Sequence, residues 1–356
     1  MATLRLLWQE YRSTRQHRTP FSLWAALKAI GIALHARHSI RKCILDNHWE
    51  RRPILVYSYW FTEAVSALSL LKTTFPQLRI VSRAHGSELY SWCWKHDYQP
   101  MRFLRLQGID RICPCSEHGR NFLLADGCPS HVVERSYLGV PPASAICPSS
   151  PKGQLHLVSC CFIDDVKRMP LLVDSLHTFA KKHSELRIYW HHLGDGTDFD
   201  RFCRAVQSRL GDLPNLTYTL HGRLTPAQVR RFMSGTRECP LDALVSVSES
   251  EGLPVSMMEA QMAGLPVIGT DVGGVSELVT SSTGVLLPKD FSHEDFIAAC
   301  LSLSRWKNEP ARADIAERAR TCFSQDNNYT RFVREILQKQ IDISRSILHR
   351  EHNRQQ

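Results

Sequence analysis

An apolar run, a tight turn and a helix that follow one another constrain the fold of this chain more than any other stretch. Ala243-Leu-Val-Ser-Val247 has the composition of a buried β-strand, and Glu251-Gly-Leu253 that of a tight turn. Pro254 to Met262 is predicted to be a helix with proline in its first turn, where the missing N–H costs nothing. A strand, a turn and a helix N-terminus in this order predict an anion site, because free N–H groups and the positive end of the helix dipole meet there.

The ligand of this anion site follows from the side chains around it. The N–H groups near Gly252, Leu253 and Val255 suit a phosphate or diphosphate, and Glu251 and Glu259 lie beside them. Two carboxylates that faced a phosphate would repel it, so we expect them to bind neutral hydroxyls instead. A diphosphate with hydroxyls on both sides describes a nucleotide sugar. The other interpretation is a Rossmann-like strand and helix whose glutamates are only solvated.

The full string resembles a known signature. Glu251-Gly-Leu-Pro, followed by Glu259-Ala-x-x-Ala-Gly-x-Pro-Val-Ile-Gly-Thr-Asp-Val-Gly-Gly, is similar to the motif of retaining GT-B glycosyltransferases of family four, the glycosyl transferases group 1 of bacterial polysaccharide biosynthesis. The resemblance implies an α/β fold of two Rossmann-like domains with a cleft between them. In that family the first glutamate contacts the donor sugar, the second the ribose hydroxyls and the intervening amides the diphosphate, which assigns these roles to Glu251, Glu259 and residues 252–255.

The rest of the chain alternates strands and helices from Pro53 onwards, which predicts parallel sheets. One of the predicted strands, 131–137, closes the first half. We divide the chain into a basic helical segment, an incomplete acceptor-side Rossmann-like domain, a Pro- and Ser-rich linker, a nucleotide-sugar-binding Rossmann-like domain and a C-terminal helix: 1–52, 53–140, 141–153, 154–325 and 326–356. The resemblance covers roughly residues 53–337.

The first domain departs from the family in one respect. The resemblance leads us to expect a β-strand and a glycine-rich loop facing the donor, and neither precedes Pro53. Either the true start lies upstream, or this chain has lost its first strand.

Further site residues come from the same resemblance. Lys167, just beyond the first strand of the second domain, matches a lysine that contacts the donor phosphates, and Gly222 is expected among the donor-binding residues. His85 in Arg83-Ala-His-Gly-Ser-Glu88 matches an element that touches the donor sugar, and we place it with Glu251 as catalytic. Many family members also carry an arginine five or six residues before the lysine, where this chain has Phe162 and Cys161. Arg168 is one residue that we consider as a replacement.

A metal site is not expected. Asp198-Phe-Asp200 invites comparison with the DxD metal motif of the other large glycosyltransferase fold, but these aspartates fall in the first turn of a predicted helix, where acids complement the dipole. The seventeen histidines include no metal-ligand spacing. The sequence therefore predicts neither a metal nor a cofactor, with the nucleotide-diphosphate sugar as donor substrate.

Charge and cysteine usage bear on location. Residues 1–52 hold ten Lys or Arg against three acids, so most of the net charge of +9 lies there, together with Trp8, Tyr11, Phe21 and Trp24. The twelve cysteines include no CxxC pair and indicate a reducing cytoplasm. The apolar stretch Leu23 to Leu34 is too short to span a bilayer and leaves two options open: it lies on the anionic inner face of the membrane, or it packs on the first domain.

The sequence as a whole favours a retaining glycosyltransferase that uses a nucleotide sugar and a saccharide acceptor, and membrane attachment would favour a lipid-linked acceptor. The absent strand and the absent arginine favour an alternative, a catalytically impaired remnant or partner subunit. A nucleic-acid-binding protein is disfavoured, since the basic segment carries no nucleic-acid motif.

Overall fold

The computed structural model describes residues 2–355, with side-chain detail for residues 2–350. Met1 and Gln356, the outer ends of the predicted segments 1–52 and 326–356, lie outside the described residues. The chain divides into two compact units. Unit 1 contains the residues up to Tyr137 and those from Asn328 onwards, and unit 2 is Leu138–Asn327.

Unit 1 begins with two helices, in line with the composition of its basic segment. The first, α1, spans Ala2–Gln16, and the second, α2, spans Leu23–Asp46, well beyond the end predicted at Leu34. The side chain of Ser22 caps α2 by accepting a hydrogen bond from the Ala25 N–H at 3.5 Å, which replaces one intrahelical partner missing at a helix start. Among the described residues, no helix is both long and apolar enough to cross a membrane.

A three-stranded parallel sheet forms the centre of unit 1, with strand order β1-β2-β3. Its elements are β1 Ile54–Ser58, α3 Glu63–Leu71, β2 Leu78–Ala84, α4 Arg102–Gly108, β3 Arg111–Pro114 and α5 Glu117–Ala125. Small and branched side chains on one face of α2 are buried and allow it to pack closely along α3; they are Ala26, Ala29, Ile30 and Ala33.

The predicted strand 131–137 is not a regular strand. The Ile112 N–H donates to the Val132 carbonyl at 2.9 Å and the Glu134 N–H to the Ile112 carbonyl at 3.0 Å, so this segment follows the edge of β3. Only one isolated bridge, between Ile112 and Val133, joins them. The short length of β3, which ends at Pro114, limits the pairing, because proline has no N–H to contribute.

Unit 2 is a six-stranded, wholly parallel sheet with strand order β6-β5-β4-β7-β8-β9. Its elements are β4 Gln154–Cys160, α6 Met169–Lys182, β5 Arg187–Leu193, α7 Phe199–Leu210, β6 Leu216–Leu220, α8 Pro226–Met233, β7 Ala243–Ser246, α9 Val255–Met262, β8 Val267–Thr270, α10 Val275–Leu278, β9 Gly284–Leu287, α11 His293–Ser302 and α12 Glu309–Phe323. This order is the doubly wound Rossmann arrangement, in which strands are first added to one side of the sheet and then to the other, so that the strand order reverses between two central strands, here β4 and β7.

The core of unit 2 lies on both sides of this sheet. Helix α6 packs against α7 and α11, while α9 packs against α8 and α12. Strand residues with large buried side chains, such as Leu157 and Trp190, form one cluster with Leu176 and Phe179 of α6. Strands covered on both faces read as continuous apolar runs, which explains why the sequence located them well.

The structure divides the chain differently from the sequence at the predicted linker. Residues 141–153 belong to unit 2 and are not a free connection: the Cys147 side chain is buried, and its N–H donates to the Ala263 carbonyl at 2.8 Å. The Ser150 N–H donates to the Asp242 carboxylate at 3.1 Å. Proline and serine here form ordered loop structure, so composition alone was misleading.

The C-terminal segment returns to unit 1. Helix α13 spans Gln325–Arg331, a π-helical stretch spans Phe332–Leu337, and α14 spans Gln338–Gln355, where the sequence predicted a single C-terminal helix over 326–356. Helix α14 packs on β1 and β2. The Ser344 hydroxyl accepts from the Ile54 N–H at 3.0 Å and donates to the Gln77 carbonyl at 2.7 Å, which ties it to the start of the sheet.

Candidate active site

The sheet order of unit 2 brings two predicted site segments together. In a doubly wound sheet, ligands bind outside the carboxyl ends of the strands at the point where the strand order reverses. Here that point lies between β4 and β7, which pair directly. Lys167 ends a 3₁₀ turn, Asp165–Lys167, that follows β4, and Glu251 lies in the turn that follows β7. The two residues are 84 positions apart in the chain and meet at this point.

Lys167 and Glu251 form an ion pair, with the Lys167 Nζ 2.6 Å from the Glu251 Oε1. Their side chains are 23% and 12% exposed, so the pair is partly shielded from water. Burial on its own would lower the pKa of Lys167, but the charge and hydrogen bond of Glu251 outweigh it and raise that pKa. Lys167 is therefore a fixed positive charge at the switch point at any pH near neutrality.

Backbone contacts hold the Glu251 turn in place. Gly273 has φ +56°, and a Cβ at this position would lie 1.8 Å from the Glu251 carbonyl oxygen, so only glycine fits. The neighbouring Gly274 N–H donates to the Gly252 carbonyl at 3.0 Å. The Gly-Gly pair of the signature is thus explained by its close approach to the Glu251 turn.

The N-terminus of α9 has free donors, as predicted. Pro254 is the N-cap residue, with φ −66° and ψ 120°, and α9 begins at Val255; the prediction that proline lies inside the first turn was off by one residue. Within residues 2–355, the N–H groups of Gly252, Leu253 and Val255 have no hydrogen-bond acceptor. Leu253 is buried and Val255 is partly exposed, so the amide row faces outward only at its end.

Glu259 lies on α9 and is buried. Burial raises the pKa of Glu259, while the Arg230 guanidinium, 3.5 Å away on α8, opposes this shift. Sequence analysis did not identify Arg230. Nothing near it in the sequence distinguishes it from the adjacent Arg231, and only the packing of α8 on α9 selects it.

Glycines join the loops after β4, β5 and β6. Gly222, predicted to be donor-binding, has φ +64°, and its carbonyl accepts from the Gly194 N–H at 2.9 Å. Gly194 has φ +142°, and a Cβ there would lie 1.9 Å from the Cys161 carbonyl oxygen. The three loops therefore pack backbone against backbone at the carboxyl edge of the sheet.

The position of the expected arginine carries no cation. The Cys161 thiol donates to the Met169 sulfur at 3.6 Å. The guanidinium of Arg168 donates to the carbonyls of Val247, Ser248 and Lys289, which uses three of its five N–H donors for neighbouring loops. That Arg168 replaces the absent arginine stays a prediction.

In unit 1, His85 follows β2 and is oriented by Glu88. The Glu88 Oε1 accepts from the His85 main-chain N–H and lies 2.8 Å from its Nδ1. Burial alone would raise the pKa of Glu88, but the hydrogen bond and charge of His85 outweigh it and lower that pKa. Because a carboxylate only accepts, Nδ1 carries a proton, and Nε2 is an acceptor whenever the ring is in its neutral form. Nε2 is buried and has no partner within the described residues.

Two aromatic rings enclose this histidine. The ring centroids of Tyr59 and Trp60 lie 4.8 and 4.4 Å from that of His85, and both rings are partly exposed. In the sequence Glu88 stands out only as part of a motif, and Tyr59 and Trp60 carry no motif of their own. Their position directly after β1, at the carboxyl edge of a parallel sheet, is the signal that was available.

The two aspartates considered for a metal have the predicted placement. Asp198 is the N-cap residue of α7 and Asp200 lies in its first turn, with Arg201 3.9 Å from Asp198. In the part of the chain that the structure describes, no three His, Cys, Asp or Glu side chains come together as a metal-binding group.

The chain was compared with known proteins. Residues 156–305 match the family described as glycosyl transferases group 1. The amylovoran biosynthesis glycosyltransferase AmsK of Erwinia amylovora is 24% identical over 264 residues, which cover 73% of this chain and 61% of AmsK. The chain thus spans about three fifths of the length of that relative.

Solved structures agree in fold. The lipopolysaccharide outer core galactosyltransferase WaaB, in its apo form, matches with a TM-score of 0.65 at 17% identity and covers 85% of this chain and 80% of WaaB. Anabaena HepE in complex with UDP-glucose matches with a TM-score of 0.62 at 15% identity, over 80% and 78% of the two chains.

These matches and the two parallel sheets define a GT-B protein built from Rossmann-like units, as the sequence predicted. Residues 156–305, which contain Lys167, Glu251 and Glu259, are the part of the chain that matches glycosyl transferases group 1. The resemblance to glycosyl transferases group 1 is therefore confirmed over these residues.

Proposed function

We propose that this protein is a retaining glycosyltransferase that moves a sugar from a nucleotide-diphosphate sugar to a saccharide acceptor in the biosynthesis of a cell-surface polysaccharide. The observation that carries the proposal is the Lys167–Glu251 pair at the switch point, beside the unpaired N–H groups that lead into α9. The names of AmsK, a biosynthetic glycosyltransferase, and of HepE, solved with UDP-glucose, support the same class.

The donor diphosphate would meet a cation and backbone amides in this site. A helix N-terminus supplies only about half a positive charge, which is small against a diphosphate, so the ammonium group of Lys167 is the main counter-charge. Glu251 and Glu259 would accept hydrogen bonds from hydroxyls of the sugar and of the ribose. Arg230 limits the repulsion between Glu259 and the diphosphate because it neutralises that carboxylate.

The chemistry would rest on positioning and on stabilising the leaving group. We propose front-face transfer, in which the acceptor hydroxyl attacks from the side of the leaving diphosphate and a phosphate oxygen takes its proton. Lys167 and the α9 amides then stabilise the charge that develops on the diphosphate. The His85 Nε2, as an acceptor, would orient a sugar hydroxyl. No metal takes part in this proposal.

A lipid-linked acceptor is the second element of the proposal, with the protein working at the inner face of the cell membrane. Helix α1 carries exposed Trp8 and Tyr11 next to basic side chains, with Arg12 5.4 Å from the Trp8 ring and Arg15 5.9 Å from the Tyr11 ring. Aromatic and cationic side chains on one exposed helix suit an anionic membrane surface. The buried alanines of α2 lie on the face of that helix that packs on the first domain. We therefore propose that the two options left open by the sequence hold together: α2 packs on the first domain, and the basic segment lies on the membrane.

A catalytically impaired glycosyltransferase remains the alternative, and one observation favours it. The position of the expected arginine holds Cys161, whose thiol donates to the Met169 sulfur, and three N–H donors of Arg168 bind main-chain carbonyls. Binding of the diphosphate would then rely on fewer cations than the family uses.

A donor screen tests the proposal. A panel of nucleotide-diphosphate sugars is added to the purified protein, one at a time, and the Tm is measured. A donor present at 100 times its Kd stabilises the folded protein by about 2.7 kcal/mol, which raises the Tm by about 5 °C. Glu251→Gln and Glu259→Gln should reduce this rise, whereas Glu249→Gln, at an exposed neighbouring pair with Lys289, should not. NMR of the product reports the anomeric configuration. If no donor shifts the Tm, or if the double variant at 251 and 259 transfers sugar at the wild-type rate, the proposal is wrong.

A further inference from the structure

Unit 1 contains a pocket that the proposed site does not use. It measures about 680 Å³ and lies between the start of α2 and the segment 94–100. Aromatic, aliphatic and basic side chains line it; those that matter here are Trp24, Lys28, Ile32, Trp94, Lys95 and His96.

One wall of the pocket is apolar and exposed. Trp24, Lys28 and Ile32 are four residues apart on α2 and therefore form one stripe, about 12 Å long. Trp24 is 74% exposed, although a ring of this size normally finds a partner. The facing ring, Trp94, is fixed by its indole N–H, which donates to the Ser87 carbonyl at 2.6 Å.

The same pocket also contains positive charge. Lys28 and Lys95 have no ion-pair partner within the residues that the structure describes, and the Lys28 Nζ lies 5.5 Å from the Trp24 ring centroid. Glu63 also lines the pocket. Its charge acts on Arg105, a fully buried guanidinium whose nitrogens have no hydrogen-bond partner among the described residues. With the two lysines against this one carboxylate, the lining of the pocket is net positive and attracts an anion.

The basic segment of the pocket is held in a strained conformation. His96, Asp97 and Met101 have φ between 53° and 59°, a left-handed region that side chains other than glycine seldom adopt. The buried Glu10 of α1 fixes this segment, since its Oε1 accepts from the Tyr98 hydroxyl and from the Met101 N–H, both at 2.9 Å. Strain held by surrounding contacts is typical of ligand sites, because it orders them before binding.

We infer that this pocket binds the phosphate or diphosphate headgroup of the lipid-linked acceptor, with the first part of the hydrocarbon chain along Trp24 and Ile32. The inference rests on the proposed function and names the place where that acceptor is held. Cations beside an apolar wall match a molecule that is anionic at one end and apolar at the other. Exposed Leu23 and Leu27 extend the apolar surface of α2 beyond the pocket, which gives a chain room that a nucleotide would not need.

Equilibrium dialysis with labelled farnesyl diphosphate tests the inference. The wild type should bind it at least tenfold more tightly than farnesol or inorganic diphosphate, because only the amphiphile uses both walls. Lys28→Gln with Lys95→Gln should weaken binding about tenfold or more, and Trp24→Ala several-fold. Trp8→Ala, an exposed tryptophan of α1 outside the pocket, is the matched control and should bind normally.

Two further measurements separate this site from others. Lys167→Gln should leave farnesyl diphosphate binding unchanged, since the donor site lies in the other unit, and the Lys28 and Lys95 variant should keep its donor-induced Tm rise. That result distinguishes failure of the pocket from failure of the proposed function. Unchanged binding in the Lys28 and Lys95 variant, equal binding of inorganic diphosphate, or displacement by a nucleoside diphosphate would overturn the inference.

Discussion

Replacing Lys167 with methionine separates its structural effect from its proposed catalytic one. The substitution removes the ammonium group 2.6 Å from Glu251 and leaves a carboxylate that is 12% exposed without its partner. At an effective dielectric constant of 20 the Coulomb attraction at this distance is about 6 kcal/mol. The cost of removing both charges from water offsets most of it, so we expect the free energy of unfolding to fall by about 1–2 kcal/mol.

The effect on transfer should be larger and of different origin. A cation that stabilises a leaving diphosphate contributes about 2–4 kcal/mol to the transition state, which corresponds to a loss of about 30- to 1,000-fold in kcat/KM. The amides before α9 remain and account for the residual rate.

The double variant Lys167→Met with Glu251→Gln distinguishes the two effects. Removing the carboxylate charge leaves no unpaired ion, so the double variant should regain most of the stability in a urea titration. Its kcat/KM should stay well below that of Glu251→Gln alone, because only the single variant keeps the Lys167 cation beside the diphosphate. The control is Lys289→Met, which breaks an exposed pair with Glu249 at 3.2 Å and should cost less than about 0.5 kcal/mol. If the double variant and Glu251→Gln alone have equal kcat/KM, Lys167 is a structural residue and the proposed phosphate contact is refuted.

Four other predictions concern the two glutamates, the metal and the membrane. Burial raises the pKa of Glu259, so its carboxylate costs stability at neutral pH; Glu259→Gln should lower donor use yet raise the free energy of unfolding at pH 7, an advantage that disappears below about pH 4.5. Glu88 has a lowered pKa and stabilises the fold above about pH 4.5, so Glu88→Gln should have a lower free energy of unfolding than the wild type at pH 7, and this difference should disappear in acid. The same substitution should lower kcat/KM about tenfold, because His85 loses its fixed tautomer. EDTA should leave the transfer rate unchanged, and activity that returns only with Mn²⁺ would contradict this. The intact protein should sediment with anionic vesicles at low salt, less so as Trp8→Ala, and recovery in the supernatant would exclude the membrane proposal.

Unit 2 was predictable because its signals are local. A strand buried on both faces is an apolar run, and Gly252 and Pro254 mark the turn and the helix start that follow Glu251. The pairing of Lys167 with Glu251 was not predicted, although both residues were identified. The sequence motif placed each at a strand end, but the strand order that brings those ends together depends on the whole sheet.

Other features were harder to predict, for physical reasons that differ between positions. Glu88 has a role only because the chain after β2 turns back on His85, and Arg230 only because α8 packs on α9. The segment 131–137 has the composition of a strand, yet β3 offers it only four residues to pair with. The Pro- and Ser-rich residues 141–153 look like a flexible connection, but they are ordered by buried contacts such as that of Cys147.

The return of the C-terminal helix to the first sheet has a consequence during synthesis. The Ile54 N–H and the Gln77 carbonyl are both satisfied by Ser344, so the last helix completes hydrogen bonds of an early strand. A ribosome makes the 190 residues of Leu138–Asn327 in between, which takes about 10–40 s. During that interval the start of β1 and the apolar face under α14 are exposed. Unit 2 is contiguous in the chain, so it waits for no later segment. The nascent chain should therefore depend on chaperones at its N-terminal unit first, although that unit leaves the ribosome earliest.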